Sequence, residues 1–82
     1  MADPRSTLVD GLAEHIDVPA LTSAEIESVL ALAAVAAHGT GDRTAAPLAS
    51  FLAGMKAAGV PDRVAVLDDV RRRAAELAPD GA

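Results

Sequence analysis

The stretch of this 82-residue chain with most scope for chemistry is the loop His38-Gly39-Thr40-Gly41-Asp42-Arg43-Thr44, which carries His38 and Arg43. Two glycines permit unusual backbone angles, and a helix N-terminus with free N–H groups is expected just beyond. An arginine beside such an N-terminus could hold a phosphate or a carboxylate. The same side chain could instead pair with Asp42 or bond the carbonyls that end the preceding helix. His38 also has two readings: a ligand or catalytic base, or a residue that bonds the last carbonyls and suits the negative end of the helix dipole. The loop matches neither a P-loop nor a dinucleotide fingerprint, because no strand precedes it.

The remaining reactive side chains are dispersed. His15, the only other histidine, is distant in sequence. There is no His-Glu-x-x-His, no histidine and carboxylate at metal spacing, and no cysteine, so neither a metal nor a disulfide is expected. Arg71, Arg72 and Arg73 are consecutive, and on a helix they point in different directions. Asp68–Arg72, Asp69–Arg73 and Arg72–Glu76 have the spacing of surface ion pairs, which makes this an ion-paired helix face. Ser50 invites comparison with acyl carrier proteins, small acidic helical chains whose serine carries a phosphopantetheine arm at a helix start. Here Ser50 lies inside a helix, after Ala49 and without an acidic neighbour, which sets that identity aside. No Ser/His/Asp set and no carboxylate pair offers another catalytic reading. The expectation is a non-enzyme without a cofactor.

The elements that position these residues read as helices throughout. Asp3-Pro4 is an N-cap followed by proline at the first helical position. Leu8, Val9, Leu12 and Ile16 then share one face, and Asp17-Val18-Pro19 ends the helix, which is predicted over 4–16. Thr22 and Glu25 have capping-box spacing, with Leu21 and Ile26 at staple positions. They open a second helix, predicted over 23–38, with Gly39 as its left-handed terminator. It carries Ile26, Val29, Leu30, Ala33 and Ala37 on one side and Leu32, Val35 and Ala36 on the other, the pattern of a central helix wrapped by its own chain or met by a partner. Pro47 opens a third helix over 47–58 with a stripe of Leu48, Phe51, Leu52 and Met55, closed by Gly59. Pro61 opens the fourth, over 61–78, with Asp62 in its first turn, a stripe of Val66, Leu67, Val70, Ala74 and Leu77, and Pro79 as terminator. No period-two apolar run appears. The short links favour a compact, all-α, four-helix bundle-like single domain.

Composition narrows the partners. The net charge of -5 opposes nucleic-acid binding, which needs a basic face. The start of the chain lacks the apolar core of a signal peptide, and Val29 to Ala37 is about half a membrane span, so the cytoplasm is the expected location and no membrane is expected as a partner. Apolar residues make up 51% of the chain, but many are alanine and Phe51 is the single aromatic. The core should be thin, and a homodimer would be a natural way to bury more.

The central stretch carries a resemblance. Ala37-His38-Gly39, Arg43, Ala45-Ala46-Pro47-Leu48 and Phe51-Leu52 with Gly54 resemble a small actinobacterial helical domain family of unknown function. Its members occur alone or fused C-terminal to MobA-type molybdopterin guanine dinucleotide transferases. The chain departs from that pattern at Thr44, where the family has proline, at Ala49-Ser50, where it has a threonine pair, and in lacking a first-helix tryptophan. The resemblance implies an association with molybdenum-cofactor chemistry and raises the standing of His38 and Arg43 as a functional pair. The resulting expectation is an accessory or protein-interaction domain whose partner could be a MobA-type nucleotidyltransferase. Contact is expected through Leu32 and Val35 or through His38 and Arg43. The alternative is a module that binds a small anionic ligand at the loop between the second and third helices.

Overall fold

The computed structural model describes residues 3–78, and within them the chain is all-α, four helices in one domain. Asp3 accepts from the Arg5 N–H at 3.1 Å, and Pro4 opens α1 (Pro4–His15). Helix α2 (Ser23–Thr40) begins with the expected capping box. Thr22 Oγ1 accepts from the Glu25 N–H at 3.1 Å, while Glu25 Oε1 accepts from the Thr22 N–H at 2.8 Å. Helices α3 (Ala45–Ala57) and α4 (Arg63–Leu77) complete the domain.

Several boundaries differ from the predicted ones, each for a local reason. Asp17, at φ 61°, ends α1 in the left-handed region. The Val18 N–H donates to Ala13 O and the Asp17 N–H to Glu14 O, the two bonds of a Schellman motif that a glycine usually closes. Helix α2 continues through Gly39, and Gly41, at φ 72°, takes the terminating role. Gly39 serves a different need: a Cβ there would collide with the Cβ of Ala78, at the end of α4. Helix α3 starts two residues before Pro47, whose missing N–H falls in the first turn where no helical partner exists. Asp62 caps α4 from outside, accepting from the Ala65 N–H at 3.1 Å, instead of sitting in its first turn. Pro79 lies outside the described residues.

Helices α2, α3 and α4 pack on one another, whereas no Cα atom of α1 lies within 8 Å of a Cα atom in any of them. Helix α1 lines a cleft against α2, with Val9 facing Ile26 and Leu30 across it. The core proper is Leu32, Ala53 and Leu67, with Val29, Ala49, Val70 and Ala74 packed around it.

This arrangement corrects three sequence readings. Leu32, expected on an outward side of α2, is fully buried at 0% exposure. Leu8, Leu12 and Ile16, the expected inner face of α1, are exposed. Leu48, Phe51, Leu52 and Met55, the expected core stripe of α3, are between 62% and 71% exposed. In α3 the inner face is instead made by Ala53 and Ala57, with Ala49 beside them. Small residues let the α3 backbone approach both neighbours closely, so the alanine face wins the core and the larger side chains are left outside.

Candidate interaction surface

The loop between α2 and α3 is built around Thr40 and Asp42. Thr40 Oγ1 donates to Ala36 O at 2.7 Å and accepts from the Asp42 N–H at 3.1 Å. Asp42 Oδ1 accepts from both the N–H and the hydroxyl of Thr44, at 2.9 and 2.7 Å. Those bonds hold the Asp42 carboxyl below its ordinary range, the Thr44 hydroxyl acting most strongly. Next, the Ala45 N–H donates to Asp42 O and the Ala46 N–H to Arg43 O. Pro47 has no N–H to offer. The first donors of α3 are therefore taken, and a carboxylate sits where an anion would have to sit. The free N–H groups on which the anionic-ligand reading depended are not there.

His38 and Arg43 are both exposed on this loop region, His38 in the last turn of α2 and Arg43 just ahead of α3. Asp42 bonds Thr44, so the Asp42–Arg43 pairing is not what the loop uses. Val35 is half-buried on α2 and Leu32 is core, which removes the pair as an outward contact surface. On α4, Asp69 accepts from Arg72 at 3.1 Å and from Arg73 at 2.8 Å. Both bonds keep the Asp69 carboxyl below its usual range. Asp68 does not pair with Arg72 but accepts from the Ser28 hydroxyl at 3.2 Å, tying α4 to α2.

The strongest polar contact was not foreseen. Glu25, 6% exposed, receives Arg63 through Nε and Nη2, the latter at 2.9 Å, while still serving the capping box at Thr22. The Arg63 guanidinium, and then the Thr22 N–H, hold the Glu25 carboxyl below its ordinary range against the opposing effect of burial, and Glu25 in turn raises Arg63. This pair locks the start of α2 to the start of α4. Its partners are 38 residues apart, so no local spacing could announce it.

Beside that pair lies an open groove of about 560 Å³. Val18 and Leu21 from the α1–α2 link, Glu25 and Val29 of α2, Ser50 and Gly54 of α3, Val60 from the α3–α4 link, and Arg63 and Leu67 of α4 are among the residues that form its walls. On α3 the groove residues flank the outward stripe: Gly54 lies one turn from Phe51 and next to Met55. None of the stripe residues lines the groove, whose α3 wall is Ser50, Gly54 and Ala57. Leu48, Phe51, Leu52 and Met55 form a separate exposed apolar stripe on the same helix.

The sequence matches the family described as Domain of unknown function (DUF6457) over residues 4–82. The chain belongs to that family. No curated protein and no solved structure matches this DUF6457 domain. Among the described residues of the domain, no group of three or more His, Asp or Glu side chains is placed to hold a metal ion. No described helix is long and apolar enough to cross a membrane.

Proposed function

We propose that this domain is a non-enzymatic accessory module that works by protein–protein contact, and that its contact surface is the outward face of α3. The observation that carries this reading is the exposure of Leu48, Phe51, Leu52 and Met55 at successive helical spacing on one helix. Single exposed leucines are ordinary, but a contiguous apolar ridge beside an apolar groove is the mark of an interaction site. His38, in the last turn of α2, and Arg43, in the loop before α3, are exposed and would supply a polar rim. The link to molybdenum-cofactor biosynthesis rests on the sequence resemblance described above, and a MobA-type nucleotidyltransferase is the partner it suggests.

The test is recovery of partners from native extract by tagged protein, read by mass spectrometry. Wild type should retain such a transferase, Phe51→Asp should lose it, and the His38→Ala/Arg43→Ala double variant should hold it more weakly. Equal recovery by wild type and Phe51→Asp would remove α3 as the contact face, and no recovery by either would remove the transferase as partner.

A further inference from the structure

We infer that the groove beside the Glu25–Arg63 pair binds a small, uncharged, amphipathic molecule. Its occupant is an apolar body ending in a carbonyl, as in an amide or an ester, and the carbonyl oxygen accepts from Arg63. The site is separate from the α3 contact face and does not depend on it. Its volume of about 560 Å³ falls within the ~300–1,000 Å³ of small-molecule clefts. It also reaches the core, since its lining includes Ala57 and Leu67, each only 5% exposed. An apolar body seated there would leave water for aliphatic surroundings.

The walls are held by rigid parts. Pro19 and Pro61, whose rings fix φ, stand in the two links that line the groove. Gly59 turns the second link at φ 76°, and the Val60 N–H donates to Ala57 O at 3.0 Å. The Glu25–Arg63 pair fastens the start of α2 to the start of α4 on the same side. A ligand that meets walls already in place loses little affinity to ordering them.

The polar groups select the class of ligand. Among the described residues, the lining holds three polar side chains, Glu25, Ser50 and Arg63. Glu25 takes the Nε and Nη2 edge of the guanidinium. The other edge, Nη1 with the second Nη2 hydrogen, meets no acceptor among the described residues, and the Arg63 side chain is 31% exposed. A carbonyl placed at that edge receives charge-assisted bonds. An anion is disfavoured: Glu25 already cancels the Arg63 charge, and the chain as a whole carries -5. A cation finds no open carboxylate, because both Glu25 oxygens already accept. A neutral acceptor on an apolar body is what remains.

Gly54→Leu blocks the site without touching the polar pair. A Cβ added there meets nothing within 4 Å, so the fold has room for the side chain, which takes up space in the groove. Backbone amide NMR of the full chain reads binding, with octanamide and octanoate titrated separately to about 2 mM. Octanamide should shift amides centred on Val29, Gly54, Val60 and Leu67 toward saturation. Octanoate should bind about tenfold more weakly. Gly54→Leu should bind octanamide about tenfold more weakly with helicity unchanged. Arg63→Lys, which keeps a charge for Glu25 but has no second edge, should show a similar loss.

No shift with octanamide over that range overturns the site. Tighter binding of octanoate overturns the neutral class, and undiminished binding by Gly54→Leu overturns the groove. Shifts centred on Leu48, Phe51 and Leu52 would put the probe on the α3 face, and shifts at Val9, Ile26 and Leu30 would put it in the α1–α2 cleft. Either pattern overturns the inference as well. The α3 contact reading is judged separately, by partner recovery with Phe51→Asp, a substitution outside the groove lining.

Discussion

Helices α2 and α3 look alike in sequence, both rich in alanine and leucine, yet they use those residues in opposite ways. Helix α2 is the centre of the domain: it contacts both α3 and α4 and carries Leu32 into the core. Helix α3 turns its alanines inward and its large side chains out. Hydrophobicity alone does not decide which face of a helix is buried. In α3 the small face meets the neighbouring helices, because backbones can then approach to close-packed distance, and the bulky face is left in solvent. That difference can be broken by substitution.

The largest effect should come from the α2 side. Leu32→Ala is expected to destabilise the protomer by about 3 kcal/mol, through lost burial and the cavity left among Ala53 and Leu67. Leu32→Asp should fail to fold. Urea unfolding followed by helicity measures both, and a Leu32→Ala loss below about 1 kcal/mol would mean that α2 is not the centre.

On α3 the comparison inverts, since adding bulk to the inner face should harm. Ala53 is fully buried, and Ala53→Leu should cost about 2 kcal/mol through overpacking against α2 and α4. Helix propensity barely separates alanine from leucine, so it cannot mask the result. A stable Ala53→Leu variant would show slack between the helices that the described geometry does not contain.

A smaller effect attaches to the junction of α2 with α4. The folded-state carboxyl of Glu25 is held below its ordinary value of 4.5, chiefly by Arg63 and then by the Thr22 N–H. A depressed folded pKa contributes stability that is present above the unfolded value and is lost as pH falls through the folded one. Acidification from pH 6 into the region below 4.5 should therefore lower the melting temperature of wild type more than that of Glu25→Gln, which has no charge to lose. Identical acid sensitivity would place the effect on Asp42 and Asp69 instead, whose carboxyls are also held below their ordinary range. Thr22→Ala, which removes one half of the capping box, should cost about 1 kcal/mol at neutral pH.

These tests also show how far the residues alone could be read. Four helices, the capping box at Thr22 and Glu25, and the proline and aspartate starts are local signals, and each is where the sequence placed it or within a few residues. The orientation of α3 was hidden because its leucine stripe is the stronger periodic signal, whereas its alanine face matters only once α2 and α4 are beside it. Gly39 was misread for a similar reason. A glycine near a helix end suggests a left-handed terminator, but here it answers the approach of Ala78 from the far end of the chain. The Glu25–Arg63 pair and the groove depend on residues distant in sequence, and no spacing rule reports them.

The smallest effect is the sharpest discriminator between the two helices. Leu48 is 66% exposed, so Leu48→Ala removes little buried area from the protomer, and alanine is the better helix former. Its effect on protomer stability should stay within about 0.5 kcal/mol, in contrast to the same substitution at Leu32. Urea unfolding followed by helicity measures it. A loss above about 1 kcal/mol would mean that α3 buries its stripe within the protomer after all.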